Sequence, residues 1–300
     1  MNILSLQNIS KNYGKIKALK GVSFDIPKGT VFGILGPNGS GKTTLLSIVM
    51  SILEPTEGSY TIFEELPSHE LRKKIGTLLE TPNFYHYLSA VENLRINCKI
   101  KGVDYSDIDR VLGLVNLLQR KDSNFSTYSL GMKQRLAIAS ALLGDPEVLL
   151  LDEPTNGLDP VGIAEIRRLI MQLHASGKTI VMASHLLDEV EKVCSHVAIL
   201  KHGTLLASGD VDSIFTNDEI ALIGSTQLEQ LNKVIPNITG YKHHTEEMGM
   251  LQVFYDGSQM SLEQLNRFCF DQHITLNHLQ IKKNSLEAKF MELTGDKSSS

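Results

Sequence analysis

Val31-Phe32-Gly33-Ile34-Leu35 runs straight into Gly36-Pro37-Asn38-Gly39-Ser40-Gly41-Lys42-Thr43, and Thr44 then leads Leu45, Leu46, Val49 and Ile52 at helical spacing. An apolar strand, a G-x-x-x-x-G-K-[ST] loop and a helix in that order are the context a phosphate-binding loop requires. Glycines let backbone N–H groups curl around phosphate oxygens, and the helix N-terminus adds a favourable dipole. Lys42 brings mobile positive charge, and the Thr43 hydroxyl is suited to a Mg²⁺ ion. Lys42 through Thr44, with Gly36 to Gly41, are therefore candidate nucleotide contacts.

A second, independent pattern stands downstream. Val148-Leu149-Leu150-Leu151-Asp152-Glu153 is a buried strand ending in two carboxylates, at the edge of a parallel sheet where nucleotides bind. Asp152 is expected to hold the metal, directly or through water, and Glu153 to take the proton of an attacking water. Together the two patterns predict transfer of a phosphoryl group from ATP to water. Mg²⁺ is expected because the charge on the terminal phosphates exceeds what Lys42 alone neutralises.

Around these motifs the chain reads as α/β. Short strands are expected at Ile3–Ile9, Val22–Ile26, Val31–Leu35 and Ser59–Phe63, with residues 68 to about 143 mostly helical. Strands at Val148–Leu151 and Thr179–Ala183 flank a helix near Gly162–His174, the alternation of a parallel sheet covered on both faces. The stretch Gly209–Asn217 reads as helix and linker. Residues 219–295 then give strand, helix, two strands, helix, strand and a last helix at Leu286–Leu293, a split βαβ order. The expected organisation is a nucleotide-binding domain over 1–215, with an antiparallel β subdomain and a helical subdomain. A small α+β domain over 219–295 and a disordered tail at 296–300 follow.

Composition narrows the classes further. The 300 residues are 42% hydrophobic and 21% charged with a formal charge of -5, which gives no basic field for nucleic acid. Aliphatic runs fall far short of the roughly 18 to 20 residues of a membrane span, and the N-terminus lacks a signal pattern, so a cytoplasmic location is expected. Cys98, Cys194 and Cys269 are far apart, without zinc spacing, and are expected to be small buried hydrophobes. Neighbouring His243 and His244 should point to opposite faces of a strand, which argues against a shared metal.

At Tyr128-Ser129-Leu130-Gly131-Met132-Lys133-Gln134-Arg135 a Ser-x-Gly turn opens a helix between the two ATPase motifs, and here the chain resembles ABC transporter ATPases. The resemblance covers residues 1 to about 215: Tyr13, the phosphate loop, this signature, Asp152-Glu153-Pro154, Asn156-Gly157-Leu158-Asp159 and Ser184-His185. It implies a P-loop fold of ABC type and a head-to-tail dimer, with itself or a paralogous ATPase subunit. In that dimer Ser129 and Gly131 of one copy would cover ATP held by Lys42 of the other. It further implies that Tyr13 stacks on adenine, that His185 meets the γ-phosphate, and that Asp159 belongs to the nucleotide site. A polytopic membrane permease is the implied partner, holding the chain at the inner face of the membrane.

The signature departs from the family's commoner Leu-Ser-Gly-Gly-Gln at Tyr128, Leu130 and Met132 while keeping Ser129 and Gly131, the phosphate-facing positions. Ile75-Gly76-Thr77-Leu78-Leu79-Glu80 places Glu80 where most relatives carry a Gln near the metal. With Thr81-Pro82-Asn83-Phe84-Tyr85, this looks like the bacitracin-resistance and lantibiotic-immunity group of exporters. An importer subunit, or an ABC-type ATPase acting without a permease, is the alternative. The single ATPase unit, without a long coiled coil, argues against ribosome or DNA work.

Overall fold

The structure, a computed structural model, describes residues 1–79, 83–214, 218–247 and 249–282. The chain divides into two compact units, the first ending at Val211. Glu80, Thr81, Pro82, the expected helix Leu286–Leu293 and the tail at 296–300 lie outside the described residues.

The first unit opens with a hairpin, β1 (Asn2–Tyr13) and β2 (Ile16–Pro27), then β3 (Val31–Leu35), α1 (Lys42–Val49) and β4 (Glu57–Ile62). Strands β2, β1 and β4 form a three-stranded antiparallel sheet in that order, with Leu4 opposite Ile26 and Leu6 opposite Phe24. Alternation of apolar and polar residues along β1 and β2 gives this sheet one buried face. That face shares a single core with Phe32, Ile34, Leu45, Leu46, Leu150 and Val181.

Helix α2 (His69–Lys73), strand β5 (Ile75–Leu78) and helices α3 (Ala90–Lys101), α4 (Asp107–Leu114) and α5 (Leu130–Leu142) follow. Strand β6 (Val148–Asp152), helix α6 (Pro160–Ala175), strand β7 (Thr179–Ser184), helix α7 (Leu187–Val193), strands β8 (His196–Lys201) and β9 (Thr204–Asp210) and short helix α8 (Val211–Ile214) come next. The main sheet runs β5-β6-β7-β3-β8-β9, parallel except for β9 against β8. All residues of β3, β6 and β7 are buried, as strands covered on both faces must be.

The region from 68 to 143 is mostly helical, as expected, but it also holds a strand, Ile75–Leu78, which pairs with β6, Ile75 opposite Val148 and Leu78 opposite Leu151. Four residues are too few to show a period, and only the pairing edge of β6 makes them a strand. Helix α7 was not expected. It spans seven residues, and its N-cap, Leu186, gives no side-chain cap, so packing rather than local signals forms it. Gly209 and Asp210, expected in a helix and linker, belong to β9.

The second unit contains β10 (Asp218–Ser225), α9 (Leu228–Val234), β11 (Tyr241–Glu247), β12 (Met250–Asp256), α10 (Leu262–Asp271) and β13 (Leu276–Lys282). Its sheet order, β11-β12-β10-β13, is antiparallel throughout, which is the split βαβ arrangement. Ala221, Ile223, Leu231, Leu251, Val253, Tyr255, Leu265 and Cys269 form its core. The Tyr255 hydroxyl donates to Glu219 at 2.6 Å, satisfying a phenol that is fully buried. On β11 the His243 ring stacks on Phe254, while His244 Nδ1 meets the Tyr241 hydroxyl at 2.8 Å.

Candidate active site

The carboxyl ends of β3, β6 and β7 bring the predicted residues together. These strands are neighbours in the sheet, although Leu35 and Asp152 are far apart in the sequence, so their C-terminal loops meet at one edge. Lys42, the first residue of α1, is buried. Its ammonium donates to the carbonyls of Gly36 at 2.7 Å and Pro37 at 3.3 Å and pairs with Glu153 Oε1 at 3.3 Å. A buried ammonium needs such partners, since leaving it unpaired would cost several kcal/mol. Next to it, the Thr43 hydroxyl donates to Asp152 Oδ2 at 2.6 Å.

Glu153 Oε2 lies 2.8 Å from His185 Nδ1, so one carboxylate spans from the loop lysine to the histidine that follows β7. Glu153 has φ +48, a left-handed conformation that costs a non-glycine residue on the order of 1–3 kcal/mol. Its N–H donates to Ala183 O at 2.9 Å and its carbonyl accepts from Asn156 at 3.1 Å, which fixes the turn that aims the side chain. The sequence carries no sign of this strain, because glutamate is not a residue that favours the left-handed region.

The loop geometry fits a phosphate ligand. Gly41 has φ +106, and a Cβ there would lie 2.8 Å from Ala18 O and 2.7 Å from Leu19 Cδ2, so β2 packs directly behind the loop. Ser40, only 1% exposed, has a side-chain oxygen with no hydrogen-bond partner among the described residues. Buried hydroxyls are normally satisfied, and a phosphate oxygen would supply the acceptor. Among the described residues no three His, Cys, Asp or Glu side chains cluster as a metal site. The hydroxyl and carboxylate of Thr43 and Asp152 instead form an all-oxygen pair, the donor chemistry that Mg²⁺ takes.

The other predicted residues sit on their own elements. Ser129 is the N-cap of α5, its hydroxyl accepting from Met132 N–H at 3.3 Å. Asp159 caps α6 in the same way, Oδ1 accepting from Gly162 at 2.9 Å. At Gly131 an added Cβ would find only Leu158 Cδ2, at 4.0 Å, so packing within the chain does not impose a glycine there. Tyr13 is the last residue of β1. Its ring is 45% exposed, with the Lys11 ammonium 5.5 Å from the ring centre. The Ser184 hydroxyl accepts from Leu186 N–H at 3.0 Å beside His185; the sequence did not point to the pair between half-buried Arg167 and buried Glu189. Among the described residues no helix is long and apolar enough to cross a membrane.

Comparison with known proteins agrees with this arrangement. The ABC transporter family profile matches residues 19–156. The bacitracin transport ATP-binding protein BcrA of Bacillus licheniformis is 37% identical, over 98% of this chain and 97% of its own length. The BcrA protein of Enterococcus faecalis is 34% identical over 98% and 96%. The lantibiotic transport ATP-binding protein SrtF of Streptococcus pyogenes is 40% identical over 76% of this chain and 95% of its own. Among solved structures, CbiO1 of Clostridium perfringens, part of the ABC transporter complex CbiONQ, superposes with a TM-score of 0.65. It is 31% identical, over 71% of this chain and 90% of its own. A phosphate loop facing a strand-end Asp-Glu pair, and relatives that match over nearly their whole length, place this chain in the ABC transporter family as an ATP-binding, ATP-hydrolysing member.

Proposed function

We propose that this chain powers the export of antimicrobial peptides through a separate membrane permease, working as a head-to-tail dimer with itself or a paralogous subunit. The observation that carries the chemistry is the position of Glu153, held between Lys42 at 3.3 Å and His185 at 2.8 Å. The transported class is inferred from the relatives, which are ATP-binding proteins of bacitracin and lantibiotic transport.

In this reading the terminal phosphates of ATP enter the loop Gly36–Thr43 and take Lys42 from its carbonyl partners. Thr43 and Asp152 would hold Mg²⁺, which when bound supplies positive charge to the terminal phosphates. Glu153 accepts a proton from water, and His185, hydrogen-bonded to the same carboxylate, keeps it turned toward the nucleotide. Ser129 and Gly131 approach ATP from the second copy. The open space at Gly131 supports this, because its lack of a side chain serves something outside its own fold. Tyr13 offers an exposed ring to adenine, Asp159 shapes the segment after Glu153, and Glu80, outside the described residues, is assigned to the metal side of the permease contact.

The test is survival. In cells carrying the permease, wild-type protein should protect against bacitracin or a lantibiotic, and Lys42→Ala should weaken ATP binding at least tenfold and abolish protection, since the ammonium is the loop's mobile charge. Equal protection by both proteins would refute the reading.

A further inference from the structure

We propose that Arg167 and Glu189 are a positioning pair that holds His185 against Glu153; the inference rests on the catalytic reading above. Glu189 lies on α7 and is 6% exposed, between exposed Asp188 and buried Val190. A carboxylate so nearly dry is tolerated only when its partner is close and well directed. Arg167 on α6 meets that need with a fork: Nε to Oε2 at 3.2 Å and an Nη to Oε1 at 3.0 Å. Two parallel hydrogen bonds fix direction as well as distance, which an apolar contact between two helices does not.

The pair joins the two segments that carry the site. Glu153 ends its turn six residues before Asp159, the N-cap of α6, and His185 stands one residue before Leu186, the N-cap of α7. The chain therefore closes a ring: Glu153 to His185, through α7 to Glu189, across to Arg167, and back along α6 to the turn at Glu153. Helix α7 is too short to hold its own place, and its N-cap residue, Leu186, has no capping side chain. Its orientation depends on Val190 and Val193 in the core and on this fork. The His185–Glu153 contact of 2.8 Å has little slack, because a displacement of about 1 Å takes it beyond hydrogen-bond range. On its other side α6 faces α5 through Arg135 and Glu165, 3.8 Å apart. Neither Arg167 nor Glu189 needs to touch ATP.

Single-turnover hydrolysis of MgATP by the full chain, with nucleotide affinity and thermal melting measured alongside, tests the pair. Glu189→Gln keeps the shape of the side chain but loses the ionic fork. It should lower the rate at saturating ATP about tenfold while ATP affinity stays within about twofold, since a misplaced catalytic group loses rate rather than binding. Arg167→Lys keeps the charge but cannot fork, and should show a smaller loss in the same direction. The decisive comparison is in the His185→Ala background, where adding Glu189→Gln should cost less than about twofold more. A pair that only stabilises the fold would lower the melting temperature and leave the rate per folded molecule unchanged. If Glu189→Gln does not fold, Arg167→Lys takes its place in the same comparison. The proposal is overturned if the folded variant hydrolyses ATP at the wild-type rate, or if its loss persists undiminished without His185. Hydrolysis that survives both Glu153→Gln and His185→Ala would instead sink the reading of the site itself.

Discussion

Glu153→Gln separates the two roles proposed for this carboxylate, proton acceptor and resting partner of Lys42. The substitution preserves size but removes both the proton acceptor and the charge facing Lys42. Loss of a positioned general base costs about 10²–10⁴ in rate, so hydrolysis should fall at least a hundredfold. Binding should move the other way. At 3.3 Å the Lys42–Glu153 attraction is ~5 kcal/mol in an effective dielectric of about 20. Most of that is offset by the cost of desolvating the two ions, whose side chains are 6% and 20% exposed. A net preference of about 1 kcal/mol, which arriving phosphates must displace, corresponds to roughly fivefold in affinity. The variant should therefore bind MgATP as tightly as wild type or up to about fivefold tighter. Because it does not consume the nucleotide, it should also stay dimeric. Calorimetric titration, steady-state hydrolysis and size-exclusion chromatography with MgATP measure the three quantities. Unchanged turnover, or affinity weakened tenfold, would refute the assignment of Glu153 as base and as the resting partner of Lys42.

Gly131→Ala should melt within about 2 °C of wild type, because its Cβ has room, yet lose most MgATP-driven dimer; the two readings come from a thermal scan and a chromatogram. Ending the chain after residue 215 should leave a folded protein that binds ATP, because the first unit has its own core. Circular dichroism and nucleotide titration check this, and an unfolded product would contradict the independence of that unit.

Much of the nucleotide site was legible because its chemistry is local. The loop Gly36–Thr43 needs glycines, a lysine and a hydroxyl within eight consecutive residues, and the strand leading into Asp152 and Glu153 needs only an apolar run. The cap at Ser129 was legible for the same reason, since a helix start is settled within one turn. In the second unit, alternation along β12 and helical spacing in α10 revealed the split βαβ order before any pairing was known.

What the sequence could not determine depends on residues brought together across the fold. Strand β5 exists because β6 offers an edge to four residues whose own pattern is silent. The φ of +48 at Glu153 is paid for by hydrogen bonds to Ala183 and Asn156, and Glu189 reads as one more acidic residue in a charged stretch until α6 sets Arg167 beside it. Sequence alone picked out the groups of the candidate site, because a motif is short-range geometry. Tertiary structure alone decided their partners, Lys42 with Glu153 and Glu153 with His185, because burial and Coulomb attraction act through space between residues far apart in the chain.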